Sequence, residues 1–303
     1  MNYNGILRFL TITALFISSC QQRPADETLE KPNVIFILTD QWRAQDLGYA
    51  GNQQVQTPNL DKLAKESVVF INAISNCPVC SPARASLLTG QYPLKHGIFY
   101  NDKPLSNEAL SFAEVYKKNG YQTAYIGKWH VNGHQIGETT QDGRTTPVPA
   151  DRRQGFDFWK VNECTHDYNH SVYFDESDEK HVWEGYDAIA QTREAIEYIR
   201  SRKEDPFLMV LSWGPPHAPY ETAPEKYRTM YHPEEIKLRP NVPDTLQETA
   251  REAISGYYAH ITALDDCILE LLDAIRESGI EENTILVFTS DHGDMLYSHG
   301  MTK

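Results

Sequence analysis

Cysteine is scarce in this chain: five in 303 residues, at Cys20, Cys77, Cys80, Cys164 and Cys267. That is too few for a disulfide framework, so the fold has to rest on a packed core. A basic excess is also missing. Lysine and arginine total 28 against 42 acidic residues, for a formal charge of −14. This argues against nucleic acid as a partner, because a phosphate backbone demands a cationic surface. It says little about a small anionic substrate, since the charge lining a pocket matters more than the net value. No apolar run approaches the roughly 20 residues that cross a bilayer. There is no internal repeat and no low-complexity tract.

The chain opens with a short apolar stretch. Arg8 is the only charge among the first 22 residues. It precedes the run from Phe9 to Ile17, which Ser18-Ser19-Cys20 closes. A positive residue, a short apolar core and small residues read as a secretory signal over residues 1–19. Ile17-Ser18-Ser19-Cys20 also has the form of a bacterial lipobox, which makes Cys20 the expected lipidation site and membrane anchor. Ordinary cleavage with a free cysteine is the plainer alternative. Residues 20–31 suit a tether, and residues 32–303, long enough for one sizeable core, form the expected catalytic domain. The expected location is therefore outside the cytoplasm, as a periplasmic or outer-membrane lipoprotein of a bacterium. The last residues, Gly300-Met301-Thr302-Lys303, follow a strong motif with no element to complete a layer. A truncated C-terminal end is expected from this.

Four apolar runs have the composition of strands buried on both faces: Val34–Leu38, Thr123–Ile126, Phe207–Leu211 and Ile285–Phe288. Helical patterns lie between them. One opens at Thr57-Pro58 with Leu60, Leu63 and Ala64 inward. A second covers about Ser106 to Asn119, with Gly120 as its stop. A third covers about Gln247 to Ser278, with Leu264, Ile268, Leu271, Leu272 and Ile275 inward and Gly279 beyond. Strands alternating with helices imply a layered α/β domain.

Chemistry-bearing residues follow each run: Asp40-Gln41, then Lys128-Trp129-His130, then His217, then Asp291-His292-Gly293-Asp294. Ligands of α/β sheets bind beyond the carboxyl ends of the strands, so four such clusters can converge on one site. Asp40, Gln41, Asp291 and His292 offer mainly oxygen donors, which suit a hard cation such as Ca²⁺. Zinc would draw more on cysteine and histidine. Arg84 and Lys128 bring fixed positive charge for an anion. His130 and His217 are candidates for proton transfer near neutral pH.

Cys80-Ser81-Pro82-Ala83-Arg84, followed by Leu87-Leu88-Thr89-Gly90, resembles the signature of the type I sulfatases. Asp40, Lys128, His130, His217 and Asp291-His292 occur in the order and context of that family. The resemblance implies an alkaline-phosphatase-like α/β/α sandwich with a mixed, largely parallel sheet, lacking here its smaller C-terminal subdomain. It implies that a formylglycine-generating enzyme oxidises Cys80 to formylglycine, whose hydrate attacks the sulfur of a sulfate ester. Asp40, Gln41, Asp291, His292 and the modified Cys80 would hold Ca²⁺. Arg84 and Lys128 would hold the hydrate and the sulfate. His217 would protonate the departing alcohol, and His130 would help eliminate sulfate. The implied partner is a sulfated small molecule or glycan, with carbohydrate resting on analogy.

The chain departs from the family pattern in places. Many members have two adjacent aspartates where this chain has Asp40-Gln41, which keeps an oxygen donor and removes a charge. Ala83 replaces a frequent serine. Lys303 falls one position short of the spacing of a sulfate-contacting lysine after His299-Gly300, and as given the chain is expected to be inactive or poorly folded. His166 and His170 are expected on a loop lining the substrate cleft, against a solvated loop as the plainer alternative. Cys77-Pro78-Val79-Cys80 can also be read as a redox dithiol, and Cys164 and Cys267 as buried thiols. Competing functions are a formylglycine-dependent phosphonate or phosphodiester hydrolase and a non-catalytic glycan-binding lipoprotein.

Overall fold

The computed structural model describes residues 31–133, 146–202 and 205–302. Cys20 and Lys303 lie outside the described residues, as do the signal and all but the last residue of the tether expected over 1–31. Among the described residues no helix is long and apolar enough to cross a membrane.

The chain runs through β1 (Asn33–Asp40), α1 (Pro58–Lys65), α2 (Cys80–Thr89), the short α3 (Pro93–His96), α4 (Phe112–Lys118) and β2 (Gln122–Lys128). It continues with β3 (Phe158–Asn162), β4 (Val172–Phe174), β5 (Lys180–Val182), α5 (Asp187–Ser201) and β6 (Phe207–Pro216). Next come α6 (Glu225–Arg228), α7 (Gln247–Glu277) and β7 (Thr284–Ser290). The strands form one seven-stranded sheet in the order β5-β4-β3-β2-β6-β1-β7. Pairs from β3 to β7 are parallel, whereas β4 pairs antiparallel with both β3 and β5. The sheet is therefore mixed and largely parallel, as expected.

Alternation along the strands sends apolar side chains to both faces. Ile35, Ile37, Ala124, Ile126, Met209 and Leu211 pack in one core with Ile196 and Ile199 of α5 and Leu264, Ile268 and Leu271 of α7. Val34, Tyr125, Leu208 and Val210 pack in another with Ala85 and Leu88 of α2 and Ala113 of α4. Helices thus cover both faces, giving the α/β/α sandwich. Gly127 and Leu38 both stand opposite Ser212, and Leu38 also faces Thr289. This register brings the carboxyl ends of β2, β6, β1 and β7 to one edge.

One helix differs from expectation. Instead of starting near Ser106, α4 begins at Phe112, because Ser111 forms a capping box with Glu114: each side chain accepts from the other's backbone N–H, at 3.1 and 2.8 Å. Thr57 precedes α1 without capping it; its hydroxyl accepts from the Gly48 N–H and donates to Asp61.

Candidate active site

Each functional side chain is placed by the end of an element. Asp40 ends β1, with the register to β6 shifting just before it, and Gln41 turns away in a left-handed conformation, φ 68°. Lys128 ends β2, His217 follows β6, and Asp291-His292 follow β7. Cys80 is the first residue of α2, preceded by an extended Val79. All of them are buried.

These ends meet. Cys80 Sγ lies 3.2 Å from His292 Nε2 and 3.6 Å from Asp40 Oδ1. His292 Nε2 is 3.8 Å from a carboxylate oxygen of both Asp40 and Asp291. The His292 Nδ1–H donates to the Gly293 carbonyl at 2.8 Å. That orients the ring so that Nε2 is the nitrogen facing the carboxylates.

Arg84 clamps the cluster from one side. Its Nε donates to Asp291 at 3.0 Å and one terminal nitrogen to Asp40 at 3.3 Å. The other donates to the Lys128 carbonyl and the Ser212 hydroxyl, at 2.9 and 2.8 Å. The Lys128 ammonium donates to the same Asp40 oxygen that Arg84 reaches. Burial works to raise Asp40, but Lys128 and Arg84 outweigh it and hold its carboxyl well below the usual range. Burial and then Asp40 push Asp291 up, against the pull of Arg84.

Burial, reinforced by Asp40, also pushes the Cys80 thiol far above its ordinary value. A redox dithiol needs the opposite, a stabilised thiolate. Cys77 and Cys80 are both free rather than bridged. The geometry therefore speaks against the dithiol alternative.

The histidines divide. His217 is buried, its Nδ1–H donating to the Ala218 carbonyl at 2.7 Å, and its ring stacks on His166 with centroids 4.4 Å apart. His130 sits in a left-handed conformation, its Nε2 3.4 Å from Asp102, and its Nδ1 is buried without a partner among the described residues. Burial and then Lys128 push its pKa down to about 3, so it is neutral at physiological pH. His170 does not join the cluster. Its side chain is 81 % exposed and pairs with Asp167. Cys164 and Cys267 are buried thiols, as expected.

Sequence reasoning assigned no part to Ser212, Asp294, Tyr220, Asp102 or Glu163. Asp294 was visible in Asp291-His292-Gly293-Asp294, but nothing in the spacing says that it accepts from the Gln41 amide. Glu163 follows β3 and accepts the backbone N–H groups of Asn132 and Gly133, at 2.9 and 3.0 Å, just past His130.

The donor set fits a hard divalent cation. Asp40, Cys80, Asp291 and His292 each offer a ligand atom, all within 4.8 Å of one another. Among the described residues the Gln41 side-chain oxygen is buried with no hydrogen-bond partner, which leaves it available as a ligand atom.

Known proteins resemble this chain over most of its length. A family model described as Sulfatase matches residues 32–303. An ulvan-active sulfatase of Formosa agariphila is 49% identical over 269 residues, covering 88% of this chain and 51% of that protein. An endo-4-O-sulfatase of Bacteroides thetaiotaomicron is 29% identical, with 90% of this chain and 60% of that protein covered. The crystal structure of the sulfatase yidJ from Bacteroides fragilis superposes with a TM-score of 0.85 at 34% identity, over 91% of this chain and 65% of that one. The chain thus spans between half and two thirds of the length of these relatives.

Proposed function

The chain belongs to the sulfatase family, and from that membership we propose that the protein hydrolyses sulfate esters of carbohydrates with a formylglycine made from Cys80. The observation that carries this reading is the place of Cys80: buried, at the start of α2, within 3.6 Å of both His292 and Asp40. The names of the ulvan-active and endo-4-O relatives support a sulfated polysaccharide as the substrate class.

In this reading Asp40, Gln41, Asp291 and His292 would hold Ca²⁺, which would supply positive charge toward an anionic substrate. A formylglycine at position 80 would supply a hydrate hydroxyl as the nucleophile toward sulfur. The protein's own groups do the rest. Every nitrogen of Arg84 is committed to Asp40, Asp291, Ser212 or the Lys128 carbonyl. Its main work is to hold two like charges together, more than to grip the sulfate. Lys128 shares Asp40 and is the cation better placed to hold the anion. His217 keeps Nδ1 on the Ala218 carbonyl, so in its imidazolium form Nε2 is the atom that gives a proton to the departing alcohol. His130, neutral at rest, takes a proton as the sulfate leaves. His166, stacked on His217, lines the leaving-group side. Export, lipidation at Cys20 and conversion of Cys80 by a formylglycine-generating enzyme complete the proposal.

The test is peptide mass spectrometry across Cys80 on protein made in a host with the modifying enzyme, joined to parallel aryl sulfate and aryl phosphodiester assays. An aldehyde at position 80 and a higher kcat/KM for the sulfate are expected. A thiol from a competent host counts against catalysis, and a preference for the phosphodiester moves the protein to that chemistry.

A further inference from the structure

The departure at Gln41 has a structural partner. An amide side chain has two different ends, and half a turn about its last bond exchanges oxygen for nitrogen. Something has to choose between them. At Gln41 the backbone is fixed first. Its N–H donates to Asp291 at 3.0 Å, and its carbonyl accepts from the Tyr257 hydroxyl of α7 at 2.6 Å. At the tip, the Gln41 amide nitrogen donates to Asp294 Oδ2.

Asp294 is buried and fully committed. Its Oδ2 also accepts from the Tyr220 hydroxyl at 3.0 Å, and its Oδ1 accepts from the Leu296 N–H at 2.5 Å. A carboxylate accepts and never donates, so only the amide NH₂ can face it. The Gln41 oxygen is turned away, and among the described residues it is the atom left buried without a partner.

We infer that Asp294 is a positioning residue: it selects the orientation in which Gln41 presents oxygen to a divalent cation, and it keeps close behind that neutral ligand the negative charge the ligand itself lacks. This rests on the reading of Asp40, Gln41, Asp291 and His292 as a cation site. Charge counting and orientation predict opposite outcomes for one substitution. If ligand charge alone mattered, Gln41→Glu would tighten binding. If Asp294 sets the amide, Gln41→Glu turns a donor into an acceptor facing an acceptor, and binding weakens.

The experiment is calorimetric titration of Ca²⁺ into the full-length protein, at alkaline pH where a proton shared between two carboxyls is lost. Wild type, Gln41→Glu, Asp294→Asn and the double exchange are compared, with circular dichroism to confirm folding. Each single change is expected to weaken Ca²⁺ binding by about 10–100-fold, the usual cost of losing a partner that orients a ligand. The double exchange restores a donor facing an acceptor and keeps the total charge. It is expected to recover most of the loss, with a coupling of about tenfold or more. Additive losses, or a Gln41→Glu protein that binds more tightly than wild type, overturn the inference while leaving the cation site standing. A wild type that takes up no Ca²⁺ overturns both. Should a single variant fail to fold, the double decides alone: near-native binding supports the inference, and a folded double variant that does not bind overturns it.

Discussion

Arg84 shows what one residue does when its charge is buried. Two carboxylates at the heart of the site repel one another, and the guanidinium fork holds them by reaching both, together with Ser212 and the Lys128 carbonyl. A lysine has the charge but not the planar fork, so it cannot span Asp40 and Asp291 at once. Arg84→Lys is expected to lower unfolding stability in urea by about 3 kcal/mol or more, the scale of breaking a buried charge pair. Activity falls with it. A variant with native stability would mean that the carboxylates hold their places without the fork. Sequence pattern named Arg84 as a holder of the substrate, but it could not show that the side chain is already fully engaged by protein.

At the scale of elements, β2 and β6 pair with no room for a side chain at Gly127. Gly127 has φ +105°, and a Cβ there would lie 2.0 Å from the Ser212 carbonyl oxygen and 3.0 Å from the Gln191 side-chain oxygen. Gly127→Ala is expected to cost at least about 3 kcal/mol from backbone strain and overpacking together. Thermal denaturation against the wild type measures it, and an unchanged melting temperature would sink the argument. The strands that position the site were legible because β1, β2 and β6 are buried on both faces and read as unbroken apolar runs. By contrast β4 and β5 are three residues each and partly exposed, so no run marks them. The helix α2 escaped for another reason: Ser81, Pro82, Ala83 and Arg84 are all buried, leaving no apolar stripe to detect. Much of the inner face of α5 is Ala188, Ala190 and Ala195, too small to stand out. The site residues after each strand were legible by position. The separation of His166 from His170 was not, since spacing within a loop does not say which ring turns inward.

For the molecule as a whole, buried titratable groups set the response to pH. Burial raises Asp187 to about 8, Glu163 to about 7 and Asp265 to about 6. In the unfolded chain such carboxyls ionise near pH 4. The folded state therefore keeps protons that the unfolded state has lost, and stability declines as pH rises through 6 to 8. His260 and His130 act in the opposite sense, lowered to about 4 and about 3 by burial. Their contribution is complete above the unfolded histidine value and is lost as pH falls below it. The two groups oppose one another in mildly acid solution. Above about pH 6.5 only the carboxylates act. The melting temperature is expected to drop between neutral and mildly alkaline pH. Asp187→Asn should flatten that drop and stabilise the neutral protein by as much as roughly 4 kcal/mol, about three pKa units at 1.36 kcal/mol each. The N-terminus of α5 favours an anion by only about 1 kcal/mol or less, too little to reverse the sign. A variant no more stable than wild type at neutral pH would show that Asp187 is ionised in the fold.

Cys80 is 5 % exposed, with its sulfur closed in by His292 and Asp40 and its helix packed beneath β1 and β6. The catalytic groups of another protein cannot close around a sulfur so enclosed. If Cys80 is converted by a separate enzyme, as proposed, that enzyme would have to act on the chain before α2 docks. On that proposal the fraction of active protein would be a kinetic partition between two first encounters, that of Cys80 with its modifier and that of α2 with the sheet. A change that speeds folding without touching the site can lower the yield of active molecules, and one that slows folding can raise it.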